Sequence, residues 1–115
     1  MRYKREFSDF DNGEAFEALL NIAQKYGFKD DSWHNDAMPR MALDRGDGFF
    51  VMIWVDWKDP DYSDFPEGRK DGTMQVFCIY EWSSYDEKHW NDYSTDNIID
   101  IILKIPDYVK GEIHA

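Results

Sequence analysis

The chain has 115 residues, a formal net charge of −11, 43% hydrophobic residues and 17% aromatic ones. That length fits one compact domain over residues 1–115 and is too short for a large cofactor fold with a second domain. The charge repels nucleic acid and anionic membrane, and the apolar share argues against disorder.

Residues 2–7 (RYKREF) fit a short edge strand, with Tyr3 and Phe7 set among charges that blunt the edge. The same stretch has no apolar core of the kind a secretory leader needs. No apolar run approaches the ~18 residues that a membrane span requires. The expected location is therefore the cytoplasm, of a cell or of an infected host. Residues 13–26 predict a helix: Phe16, Leu19, Leu20, Ala23 and Tyr26 share one face. Asp11 or Asn12 is placed to cap it, Glu14 completes a capping box with Asp11, and Gly27 suits a left-handed C-terminal residue.

Residues 28–39 read as loop and 40–44 as a short strand. DRGDG at 44–48 is turn chemistry. Residues 49–57 (FFVMIWVDW) are a strong strand. Phe49, Val51, Ile53, Val55 and Trp57 point one way, and Phe50, Met52, Trp54 and Asp56 the other. Apolar residues on both faces suggest a central strand, or one whose second face is covered. Residues 73–82 repeat the pattern, with Met74, Val76, Cys78, Tyr80 and Trp82 on one face. The intervening 58–72 segment is too long for a tight hairpin, and such loops are often functional or mobile.

Residues 83–93 read as an acidic, aromatic connection. Ser94 or Thr95 is placed to cap a final helix whose core stripe is Ile98, Ile99, Ile102 and Leu103. Pro106 ends that helix or starts one more turn, and Gly111 stops it. The expected fold is α+β in the order β-α-β-β-β-α: a three- to four-stranded antiparallel sheet with two helices packed on one face.

His34, Asp36, Cys78, His89 and Asp92 include every ligand type zinc favours, but at no ligand-motif spacing. Cys78 sits mid-strand between Phe77 and Ile79, where a thiol acts as a small hydrophobe. A calcium loop starting at Asp59 would need Gly at its sixth position and Glu at its twelfth, where Asp64 and Lys70 stand. GRKDG at 68–72 lacks the spacing of a phosphate loop, and Arg2, Lys4 and Arg5 are followed at once by acids. No catalytic, metal or cofactor residue is assigned.

Acid and aromatics are interleaved in two blocks. Residues 56–67 hold Asp56, Asp59, Asp61, Asp64 and Glu67 against Lys58, with Trp57, Tyr62 and Phe65 between them. Residues 81–100 hold Glu81, Asp86, Glu87, Asp92, Asp96 and Asp100 against Lys88, with Tyr85, Trp90 and Tyr93. Carboxylates can occupy the Arg and Lys sites of a phosphate-binding groove, and Tyr and Trp are the usual anchors of interfaces. The candidate partner-binding set is therefore Asp56, Trp57, Asp59, Asp61, Tyr62, Asp64, Phe65, Glu67, Tyr85, Asp86, Glu87, Trp90, Asp92 and Tyr93. If the two strongest strands pair antiparallel, the blocks that follow them lie at opposite ends of the sheet.

In its small size, acidity and absence of catalytic motifs, the chain resembles phage-encoded anti-CRISPR and anti-restriction proteins. It is also similar to the immunity proteins that bind nuclease toxins. The resemblance is one of composition across the whole chain, and it carries no residue roles. It implies a non-enzymatic inhibitor, working as a nucleic-acid mimic, whose partner is a basic, nucleic-acid-handling protein and which touches neither nucleic acid nor membrane itself. Two alternatives stand beside it. One is a module that dimerises through Phe50, Met52 and Trp54 on the second sheet face. The other is a small enzyme using a carboxylate with His34 or His89.

Overall fold

Period-two patterning builds the middle of the molecule. In the computed structural model, which describes residues 1–113, strand β3 (Phe49–Val55) lies between β2 (Arg40–Asp44) and β4 (Phe77–Ser83). The two-residue strand β1 (Lys29–Asp30) flanks β2, and β5 (Lys88–Thr95) flanks β4. All four pairings are antiparallel, so the sheet is a five-stranded meander.

The fold is α+β, with a richer inventory than expected. Among the described residues there are five strands rather than three or four, and four helices rather than two. β1 lies inside the stretch read as loop. β5 lies in the stretch read as an acidic connection. Most of its residues are exposed, so it never showed the apolar alternation that marks a half-buried strand. The extra helices are α1 (Arg2–Glu6) and α3 (Pro66–Asp71); the other two are α2 (Gly13–Ala23) and α4 (Ile98–Lys110).

The expected edge strand at residues 2–7 is instead helix α1. Tyr3 and Phe7 are four apart, a spacing that suits both period 2 and one helical turn. The helix wins because it turns Tyr3 onto Phe16 of α2, ring centres 4.7 Å apart, while its backbone N–H donates to Asp30 (2.8 Å). Helix α2 continues into a single 3-10 turn (Gln24–Tyr26) and ends at Gly27, φ 102°, as its sequence predicts. Its start differs. Asn12 is the cap residue but makes no side-chain cap bond, and its amide donates to the Asp56 carbonyl at 3.1 Å. The Asp11 carboxylate accepts from the backbone of Lys58 and Asp59 instead of from its own helix.

α2 and α4 pack against each other, and α4 also meets β4 and β5. The core lies between them and one face of the sheet, from Phe16, Leu19 and Leu20 to Met41, Val51, Ile53, Val55, Phe77 and Ile79. In α4 the buried residues are Ile101, Ile105 and Tyr108, whereas Ile99 is 60% and Leu103 69% exposed. Of the expected stripe, Ile98 and Ile102 pack against the core while Ile99 and Leu103 face solvent, because a run of adjacent isoleucines leaves the helix phase open. Asn97, not Ser94 or Thr95, caps α4: its side chain accepts the Ile99 N–H at 2.9 Å. Pro106 sits inside the helix, which runs on to Gly111. No helix among the described residues is long and apolar enough to cross a membrane.

Candidate functional site

Strand register sorts the side chains of the sheet into two faces. The rows Leu43–Val51–Glu81–Trp90 and Met41–Ile53–Ile79–Tyr93 face the helices. The alternate rows face away from the helices: Asp44–Phe50–Trp82–His89, Ala42–Met52–Tyr80, and Arg40–Trp54–Cys78–Ser94. This second face is aromatic. The Trp54 Nε1–H donates to the Tyr80 hydroxyl at 2.7 Å. The His89 ring lies flat on Tyr80, centroids 4.0 Å apart and planes 10° from parallel, and meets Trp82 edge-on at 5.4 Å. The Arg40 guanidinium sits 5.2 Å from the Trp54 ring centre, held from its other side by Asp31 at 2.8 Å. The rings therefore form one linked layer across β3, β4 and β5, extended to β2 by Arg40, with orientations fixed by their neighbours.

Two hollows open on this face. One, of about 520 Å³, runs between Lys29, Arg40 and Phe50 and the Tyr80 and Trp82 rings. The other, of about 400 Å³, lies between Trp54, Tyr80 and His89 and the 60–76 segment, which contributes Asp64, Phe65 and Met74. Cys78 lies at the floor of the second hollow rather than in the core as its sequence setting suggested. Its thiol is half-buried and pushed up from the ordinary thiol range by that burial. Tyr80 is likewise raised, first by burial and against the lowering effect of the Trp54 donor.

The 60–76 segment is not a loose loop. Arg69 and Asp56 form an ion pair of 2.7 Å whose side chains are 6% and 5% exposed. Arg69 also donates to the Trp57 and Lys58 carbonyls, and Asp56 also accepts from Ser63 (2.7 Å) and from the Trp57 N–H (2.9 Å). α3, which carries Arg69, is thereby tied to the end of β3. A second buried pair joins Arg45 to Glu81 at 2.6 Å, and Asn91 donates to the same carboxylate at 2.7 Å. Asn91 reaches it because two residues, Asn91 and Asp92, oppose Tyr80 alone, which makes a bulge with Asn91 at φ 56°.

The candidate partner-binding residues divide into three groups. Asp56 is internal, and Trp57 is half-buried, its indole donating to the Ala37 carbonyl and packing on Phe10 and Tyr62. Tyr93 packs on the core beneath Lys104, and Trp90, in the next row of the same face, is exposed. Asp59, Asp61, Tyr62, Asp64, Phe65 and Glu67 are exposed around the second hollow's segment, although Asp61 pairs with Lys70 and Asp59 caps a 3-10 turn (Pro60–Tyr62). Asp92 lies beside His89 on β5, 3.4 Å from its ring nitrogen. Tyr85, Asp86 and Glu87 form the β4–β5 turn at the far end of the sheet, where Ser84 bonds to Gly48. The second block is therefore split: its 84–87 turn lies at the opposite end of the sheet from the first block, while β5 returns Asp92 and Asp96 to the first block's end, where the Asp96 carboxylate accepts the Val76 N–H.

Sequence reasoning placed Tyr80, Trp82 and His89 outside the candidate set. The signal for Tyr80 and Trp82 was the apolar alternation of both central strands, which leaves a second face to be met; His89 lies on β5, whose sequence carries no such signal. His34 pairs with Glu6 at 2.9 Å on a different surface from His89. Among the described residues no three His, Cys, Asp or Glu side chains gather as metal ligands. A scan of protein-family models, a search of curated proteins and a search of solved structures each gave no match.

Proposed function

We propose that this chain is a non-enzymatic binding protein that occupies a basic surface of a nucleic-acid-handling protein, with the aromatic sheet face at the centre of the contact, offered by half-buried Trp54 and Trp82 and exposed His89 around a buried Tyr80. The observation that carries this reading is the linked layer of Trp54, Tyr80, Trp82 and His89 on the face turned away from the helices. Its rim is charged: Asp31 and Asp44 stand beside Lys29 and Arg40 at the first hollow, whereas only acids, Asp64 at the second hollow and Asp92 beside His89, flank the other end. Pre-oriented rings lose little freedom on binding, and an acidic flank speeds encounter with a basic partner and excludes acidic ones. Aromatic centre with charged rim is the usual anatomy of a transient interface.

This reading moves the contact away from the tip formed by Tyr85, Asp86 and Glu87. It keeps Asp59, Asp61, Tyr62, Asp64, Phe65, Glu67 and Asp92 as flanking residues. A CRISPR or restriction effector and a nuclease toxin both present the required basic surface, so inhibitor and immunity roles share one recognition chemistry.

The test is affinity capture from candidate host lysates, followed by calorimetry with each purified basic partner. Trp54→Ala and Asp64→Lys should each weaken binding at least tenfold, and affinity should fall as salt rises. Asp86→Lys with Glu87→Lys, at the far tip, should change it less than twofold. Binding that survives Trp54→Ala and Asp64→Lys but is lost on changing the tip would refute the proposal. A doubled mass in light scattering that Trp54→Ala abolishes would instead assign the face to self-association.

A further inference from the structure

The two hollows on the sheet face differ in charge. The first carries Lys29 and Arg40 as well as Asp31 and Asp44, so its wall is balanced. The second has two carboxylates on its wall, Asp56 and Asp64, and neither lysine nor arginine. Asp56 is neutralised by Arg69. Asp64 is exposed, and among the described residues no hydrogen bond or ion pair involves its side chain. The rest of the wall includes the Trp54, Phe65 and Tyr80 rings. Phe65 is 53% exposed, a large cost in apolar surface for a side chain standing at the mouth of a hollow.

Aromatic rings beside one uncompensated carboxylate suit a cation that is flat and weakly hydrated. Guanidinium is both, and it stacks on ring faces where an ammonium prefers water. The fold already contains one such contact, since Arg40 sits over Trp54. Arg40 belongs to the neighbouring hollow, and its own charge is matched by Asp31.

We propose that the second hollow receives an arginine side chain of the basic partner, with its guanidinium against Phe65 and Trp54 and paired to Asp64. The inference rests on the partner class argued above and names the anchor within it. It predicts that the small-molecule fragment alone is recognised, which separates its fate from that of the parent reading.

The experiment is a two-dimensional nitrogen-proton NMR titration of the full chain with N-acetyl-arginine-N-methylamide, and in parallel with its uncharged citrulline counterpart. The arginine amide should shift the Trp54 indole signal and the Asp64, Phe65 and Met74 amides along one saturable curve. Citrulline should bind several-fold more weakly. Asp64→Asn should weaken arginine by about threefold and leave citrulline unchanged, as expected for one exposed charge contact, while Phe65→Ala should weaken both. Asp64 and Phe65 are exposed, so unchanged spectral dispersion will show that both variants fold. Equal shifts with the two ligands, or arginine shifts confined to the far tip, would overturn the inference. Capture of a basic partner without arginine binding here would sink the anchor alone. Arginine binding here without any basic partner would sink the parent reading alone.

Discussion

Replacing Arg69 with methionine tests whether the 60–76 segment is held by its buried ion pair. The substitution keeps much of the side-chain volume and removes the charge. It leaves the Asp56 carboxylate, 5% exposed, with only the Ser63 hydroxyl and the Trp57 N–H as donors, and strips donors from the Trp57 and Lys58 carbonyls. Leaving one partner of a buried pair uncompensated costs about 3–5 kcal/mol. Domains of this size have roughly 5–15 kcal/mol in total, so Arg69→Met should remain folded but lose a large part of its margin. Urea unfolding followed by tryptophan fluorescence reads the global loss. The protein has a cheaper response: the segment can open and return Asp56 to water, which caps the global loss at the free energy of opening. Trypsin cleavage after Lys58 or Lys70, faster in the variant at equal global stability, would report that route. The decisive comparison is Asp56→Asn, made in both backgrounds. It should destabilise the parent protein, where it weakens the pair, and stabilise Arg69→Met, where it removes a stranded charge. Additive effects of the two substitutions, with unchanged proteolysis, would show that the pair does not hold the segment. Since Asp64 and Phe65 sit on that segment, Arg69→Met should also weaken partner binding with no change at the site itself.

Three further outcomes follow from particular contacts. Tyr108 is pushed up to about 12 from 10.0, first by burial and then by the nearby Cys78 and Glu81. The folded state holds this proton more tightly than the unfolded chain, so the contribution is whole below pH 10 and is lost as pH rises toward 12. The urea midpoint should fall across that window, and less steeply in Tyr108→Phe, which has no phenolic proton; equal slopes would show that the phenol is not what titrates. Tyr80→Phe removes the acceptor of the Trp54 indole and should cost about 1 kcal/mol in urea unfolding; no loss would mean that the indole finds another acceptor. On α4, Ile101→Ala should cost about 2–5 kcal/mol, while Leu103→Ala, at a 69% exposed position, should stay within about 0.5 kcal/mol. The reverse order would restore the helix phase that the sequence suggested.

The parts of the fold that were readable in advance are those where one periodicity dominates. The α2 face, β3 and the left-handed Gly27 follow from local pattern, as does β4 from Phe77 onward, although the expected strand began at residue 73 and Met74 is exposed outside it. The misread parts are those where one spacing serves two structures. Tyr3 and Phe7 fit a strand or a helix turn, and only the long-range contacts of Tyr3 with Phe16 and Asp30 decide. The run of isoleucines in α4 fixes a helix but not its rotation. β5 was hidden because its edge position lets polar residues take both faces. The second sheet face was visible as an alternation, yet the aromatic layer on it needs β3 paired with β4 across the 60–76 segment and His89 brought in by β5, a strand with no apolar pattern of its own.

The acidity was the loudest signal in the sequence, and structure divides it into two kinds. Aspartates outnumber glutamates 17 to 7, and the difference in length matters. Asp11, Asp30, Asp44, Asp47, Asp56, Asp59, Asp71 and Asp96 each accept at least one backbone N–H. Among the described residues, no glutamate does so; Glu6, Glu17 and Glu81 bond only to side chains. A short carboxylate holds close to the main chain: Asp44, Asp47, Asp59 and Asp71 close their own turns, whereas Asp11, Asp30 and Asp96 tie down segments distant in sequence. Many of the negative charges therefore belong to the fastening of loops, and some are further spent in the pairs with Arg69, Lys70 and Arg40. The net charge still steers encounter, because fields sum over every carboxylate wherever its hydrogen bonds go. Contact is another matter, since a carboxylate already accepting from its own backbone has fewer lone pairs to offer an arginine. Asp64 has no such bond, and it stands beside Phe65 at the mouth of a hollow walled by aromatic rings. That combination, and not the density of acid along the chain, is what singles out one end of the sheet as the place to look for a partner.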